Sequence, residues 1–162
     1  MSSGRDARVL VAVYASPVAA ALAMIGTQLG YRVALVEPDP GLRNSAAWAE
    51  EAVAGLSGLD GEPDLEAADV VVTDHHRDDL GVHLRDALAR PVRWIGIMGN
   101  PRHEGPHLAA LAALGVGAAD IARVHRPIGL DIGSRTPAEI AVATLAGLLA
   151  DRNGRPGGFF AS

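Results

Sequence analysis

The stretch VLVAVYASPVAAALAMIGTQLGYRVALVEPDP, residues 9–40, decides the fold. Val9 to Val13 is a continuous apolar run of strand length, and Ser16 with Pro17 then supplies a helix N-cap and a first-turn proline. That helix is predicted to reach about Leu29, where Gly30 ends it. Val33 to Val36 makes a second apolar strand, stopped by Glu37, Pro38, Asp39 and Pro40. No residue from Val9 to Tyr31 is charged, and Arg5 and Arg8 precede the run, which gives it the outline of a signal peptide or membrane span. Pro17 splits the run, and Gly26, Thr27, Gln28 and Gly30 dilute it. A buried strand, helix, strand unit in a cytoplasmic protein with no membrane partner is therefore expected.

The alternation continues. A helix is predicted through Ser45 to Ala54, a strand over Asp69 to Thr73, an amphipathic helix over Asp78 to Ala89, and a strand over Val92 to Met98 after Pro91. A helix over Pro106 to Leu114, a short strand near Val124 and a helix over Ala138 to Ala150 complete the pattern. Apolar strands separated by helices indicate a doubly wound, Rossmann-like α/β fold, a mainly parallel sheet in three layers. At 162 residues one domain is expected, over 1–152, followed by a flexible tail from 153 to 162.

The composition excludes several chemistries. A formal charge of -5 without a basic run argues against nucleic acid. The sequence holds no lysine, which removes Schiff-base chemistry and a Walker-type phosphate lysine. It also holds no cysteine, so disulfides, thiolate metal sites and cysteine nucleophiles are absent. The apolar excess permits a homodimer.

Ligands of open parallel sheets bind beyond the carboxyl ends of the strands. At the first strand end a dinucleotide-binding chain reads GxGxxG, whereas this one reads Tyr14, Ala15, Ser16, Pro17, Val18, Ala19. Tyr14 and Ser16 carry side chains where the first two glycines would carry none. Glu37 stands where a ribose-binding acid is expected and is also read as an ordinary strand-end acid before a turn. Asp74, His75 and His76 sit at another strand end, where VVVTDHH matches the DHH phosphoesterase signature locally; a solvated turn is the alternative. Gly99, Asn100 and Arg102, in GIMGNPR, offer backbone amides and a guanidinium to an anion, or form a plain turn. His103 and His107 are separated by Gly105 and Pro106 and are not read as a ligand pair. Thr136 and Glu139 form a capping box with Pro137 at the first helical position, so the helix mouth is well defined. Just before it, Gly129 and Gly133 let backbone approach closely, and Asp131 either accepts hydrogen bonds from a bound amide or braces the loop.

Residues 93–152, RWIGIMGNPRHEGPHLAALAALGVGAADIARVHRPIGLDIGSRTPAEIAVATLAGLLADR, resemble the Rossmann domain of the XdhC/CoxI family, whose members show IGLIGS-R and then H-x-PIGLDIG-x-x-TPEEIA. His125, Pro127 to Gly133, Thr136, Pro137 and Glu139 to Ala141 match the second motif. Weaker similarity runs back to Val9 through Glu37 and VVVTDHH. The family's first loop reads GAGHVG, where this chain reads Tyr14 to Ala19; its members commonly carry an upstream cysteine-bearing domain, which is not expected here. The resemblance implies a non-catalytic maturation factor that binds molybdenum cofactor and works with a molybdenum hydroxylase apoenzyme and a sulfur-donating protein. The expected ligand contacts are Tyr14, Ser16, Glu37, His75, Gly99, Asn100, Arg102, His125, Gly129, Asp131, Gly133 and Thr136, with no catalytic residue and no metal ligand among them. The competing expectations are a divergent NAD(P)-dependent oxidoreductase and a metal-dependent phosphoesterase.

Overall fold

The computed structural model describes residues 7–100 and 102–161; the ends of the expected domain and tail, at 1–6 and 162, lie outside the described residues. Six strands form one sheet: β1 (Val9–Val13), β2 (Arg32–Val36), β3 (Glu51–Val53), β4 (Ala68–Val72), β5 (Trp94–Ile97) and β6 (Val124–His125). All pairings are parallel, in the order β3-β2-β1-β4-β5-β6. That is the doubly wound Rossmann order, whose connections diverge between β1 and β4.

Alternation along the strands builds two cores. Val9, Val11 and Val13 of β1 and Val70 and Val72 of β4 face α3 (Leu80–Leu88) and α4 (Pro106–Ala113), meeting Leu84 and Leu111. Leu10, Val33 and Val71 face the other way onto α1 (Pro17–Gln28) and α6 (Pro137–Arg152), meeting Leu22, Leu145 and Leu148. The charge-free run that imitates a membrane span is therefore β1 and α1, buried by partners rather than by lipid. Among the described residues no helix is long and apolar enough to cross a membrane.

Ser16 caps α1 as the sequence predicts, its hydroxyl accepting from the Ala19 amide at 3.0 Å. The helix expected through Ser45 to Ala54 is not formed. Asp39 instead caps a short α2 (Pro40–Ser45) by accepting from the Gly41 and Leu42 amides, and residues 51–53 become the edge strand β3. The alanines there favour a helix, but the open edge of β2 supplies a ladder that local propensity does not count. A four-residue helix α5 (Ala118–Ile121) precedes β6.

One end of α6 is tied to the sheet by buried charge. Arg152 donates to Asp69 Oδ2 at 3.0 Å and to the Ala67 carbonyl at 2.6 Å, and Arg93 donates to the other Asp69 oxygen. Beyond α6, residues 153–161 carry no regular structure; the Arg155 amide donates to the Ala150 carbonyl at 2.8 Å.

Candidate functional site

The parallel ladder runs one residue past each central strand. The Tyr14 amide donates to Val36 O, Glu37 to Val53 O, Thr73 to Val13 O and Met98 to Val72 O. Tyr14, Glu37, Thr73 and Met98 thus stand side by side on the C-terminal rim, divided at the β1/β4 switch into two halves of different character.

The half over β1 and β2 is closed. Tyr14 has no exposed surface and holds φ +77, the left-handed turn for which glycine is the default residue. Its hydroxyl donates to Asp79 Oδ1 at 2.6 Å, and Asp79 Oδ2 lies 3.0 Å from His83 Nε2. The Arg77 guanidinium lies 4.3 Å over the Tyr14 ring and donates to Glu37 twice, at 3.1 and 2.7 Å. Glu37 is sealed from solvent, and its two oxygens also accept from the Ala15 and Asp39 amides. Burial works to raise its carboxyl, but the Arg77 bonds and the two amides prevail and hold it below its ordinary value. Burial and the bond to Asp79 push the Tyr14 phenol far upward.

The half over β4 and β5 is open. A crevice of about 620 Å³ lies there, walled by Val18 of α1, Thr73, His75, the Met98 to Asn100 turn, and the loop from Pro127 to Ser134. Ser16 reaches it indirectly by donating to Thr73 Oγ1 at 2.9 Å. Gly129, at φ +86, seats its loop against the middle of α6: a Cβ there would meet the Ala143 carbonyl carbon at 3.1 Å, and the Leu130 amide donates to Ala143 O at 3.0 Å. Gly133 takes φ +68 on the far side of Asp131. Asp131 is exposed, and among the described residues no hydrogen bond or ion pair reaches its carboxylate, so bracing by that carboxylate has no contact behind it. Burial lowers the His75 imidazole, helped by His76 and Arg126, which favours a neutral ring; a hydrogen bond to the Met98 backbone engages one nitrogen and leaves the other free to accept.

Of the expected contacts, His75, Gly99, Asn100, Gly129, Asp131 and Gly133 come together around the crevice. The others do not line it. Tyr14 and Glu37 belong to the closed half, and His125 stacks on Trp94 with ring centroids 5.0 Å apart. Arg102 is exposed, its amide bonded to Asn100 Oδ1 at 2.9 Å. Thr136 is spent on its own helix: its hydroxyl accepts from the Glu139 amide, while Glu139 Oε1 accepts from the Arg135 and Thr136 amides. The α6 mouth, with Thr136 an expected ligand contact, therefore already holds a carboxylate of its own chain. Asp74 accepts from the His76 amide within its own turn, and among the described residues no three His, Asp or Glu side chains gather to hold a metal. The phosphoesterase match is thus left without supporting geometry.

Arg77, Asp79 and His83 complete the closed half of the rim, and of their contacts only the four-residue spacing of Asp79 and His83 is legible in the sequence. Arg126 carries no such signal in the sequence. It donates to the Asn100 and His103 carbonyls and packs against Gly99, where a Cβ would come within 2.4 Å of its Nε.

The family described as the XdhC Rossmann domain matches residues 10–148. The chain belongs to this family. It is 31% identical over 157 residues to the uncharacterized protein YqeB of Escherichia coli (strain K12), covering 92% of this chain and 28% of YqeB. A crystal structure described as a xanthine dehydrogenase from Bacillus halodurans superposes with a TM-score of 0.70 at 21% identity, covering 91% of this chain and 45% of that one. The XdhC Rossmann domain thus spans less than half the length of either relative. Where the family sequence places its glycine loop, this XdhC member keeps the turn and fills it with Tyr14.

Proposed function

We propose that this XdhC Rossmann domain binds molybdenum cofactor in the crevice over β4 and β5 and serves the maturation of a molybdenum hydroxylase, partnered by that apoenzyme and a sulfur donor. The carrying observation is the Asp131 carboxylate, without a partner among the described residues, presented between two left-handed glycines beside a cavity whose volume falls in the range of small-molecule sites. The donor set suits a pterin. A carboxylate accepts from ring and exocyclic N–H groups, the Asn100 amide nitrogen can donate while its oxygen holds the Arg102 amide, and the second ring nitrogen of neutral His75 can accept.

A phosphate tail has its anion partner at α1 rather than α6. Val18, in the first turn of α1, lines the crevice; Pro17 carries no N–H and Ser16 takes the Ala19 amide, so the Val18 amide is the group this turn offers at the positive end of the helix dipole. The bound group would supply the molybdenum and its sulfur chemistry; this chain's residues would bind it, orient it and release it.

The test is to purify the protein from a molybdenum-replete host, oxidise any released pterin to its fluorescent form and identify it by mass spectrometry. Asp131→Asn is expected to lose at least about tenfold in retained pterin, roughly 1.4 kcal/mol of binding, with the melting temperature unchanged. Wild-type protein that carries no pterin and takes up none sinks the proposal.

A further inference from the structure

The crevice occupies one side of the switch only. A dinucleotide on a sheet of this order lies across the divergence between β1 and β4, with one nucleotide over β1 and β2 and the other over β4 and β5. Here the walls come from Val18, Thr73, the turn after β5 and the 127–134 loop, and nothing at the end of β2 contributes.

The missing half is occupied by the protein itself. The Tyr14 ring stands at the first turn, where bare glycine would let a pyrophosphate approach, and Arg77 lies on its face. Arg77 then takes both oxygens of Glu37, which the Ala15 and Asp39 amides also engage. A ribose would find its expected acid sealed, and a pyrophosphate would find the Ala15 N–H already bonded. Because Glu37 has no exposed surface, this closure is part of the folded core rather than a side chain resting in an open groove.

We infer that Tyr14 and Arg77 set the ligand's size: the crevice takes a heterocycle ending in a single phosphate and refuses one extended through a pyrophosphate to a second nucleoside. The occupied side rests on the proposed function above. The refusal does not.

Calorimetric titration with NAD+ and with ADP-ribose decides the matter. Wild-type protein is expected to give no saturable binding of either, and the double variant Tyr14→Gly/Arg77→Ala to gain at least about tenfold in ADP-ribose affinity. Saturable binding of either probe by the wild type overturns the inference, as does a folded double variant that gains nothing. Should the double variant not fold, the wild-type titration decides alone: silence with both probes supports the size limit, and saturation by either overturns it. Mass spectrometry of any pterin released from the wild type adds an independent reading: a monophosphate supports the size limit and a dinucleotide form overturns it. Absence of pterin strikes the cofactor proposal alone, because the titration still decides this one.

Discussion

Arg77 meets Glu37 through two hydrogen bonds, Nη1 to Oε1 at 3.1 Å and Nη2 to Oε2 at 2.7 Å, and the carboxylate so held has no surface in contact with water. A buried charge of this kind is tolerated because every oxygen is bonded; removing its partner leaves the charge stranded. Arg77 is itself a quarter exposed. The expected cost of Arg77→Ala therefore lies toward the lower end of roughly 3–5 kcal/mol, measurable by urea denaturation.

The same pair sets a pH dependence. Glu37 titrates below its ordinary value of 4.5 in the folded protein, so its contribution is present above the unfolded pKa and is lost as pH falls through the folded one. Glu37→Gln is expected to melt below wild type at about pH 7, with the difference narrowing as pH falls below the ordinary value of 4.5. A constant difference across that range refutes the ionic pairing.

Both tyrosines of the chain, Tyr14 and Tyr31, are buried and held above 10.0, Tyr14 by burial and Asp79 and Tyr31 by burial and Asp69. Stability from a raised phenol is fully present below its unfolded pKa and is lost as pH rises toward the folded one. Ultraviolet titration is expected to show no phenolate until the protein unfolds, and then two residues at once. A phenolate appearing near pH 10 in folded protein contradicts the burial of Tyr14 or Tyr31.

Two glycines of one loop are expected to behave differently. A Cβ on Gly129 meets the α6 backbone at 3.1 Å in addition to a φ of +86, whereas at Gly133, with φ +68, nothing lies within 4 Å. Gly133→Ala should cost about 1 kcal/mol from backbone strain, and Gly129→Ala about 2 kcal/mol or more because the helix must also shift. Equal losses by chemical denaturation would contradict the close seating of Gly129.

Thr136→Ala removes one side of the capping box and should cost about 1 kcal/mol of stability. Retained pterin should be unchanged, since Thr136 spends its polar groups on Glu139. A selective loss of pterin without loss of stability would return Thr136 to the ligand.

The parts of this protein legible in its sequence are those written locally. β1, β2, β4 and β5 are apolar because both faces of the sheet are covered, and Ser16 and Thr136 cap helices through partners three residues away. β3 is hidden in the sequence because Glu51 to Val53, with Ala52 exposed between two half-buried neighbours, carry neither an apolar run nor polar and apolar alternation; only the edge of β2 makes them a strand. The loop around Asp131 was visible through its glycines. The Arg77 bonds to Glu37 were not, because forty residues separate the partners and only the folded sheet brings their ends together. The loss of glycine at position 14 could be read directly, but not that tyrosine would keep a glycine's backbone angle there.

The seam between Gly129 and α6 bears on how a guest is received. The Leu130 amide is joined to the middle of a 16-residue helix whose far end is moored to β4 by Arg152. Pressing that side of the cavity outward means levering the whole helix off the sheet. The mould is rigid there, and whatever enters must already have the right outline.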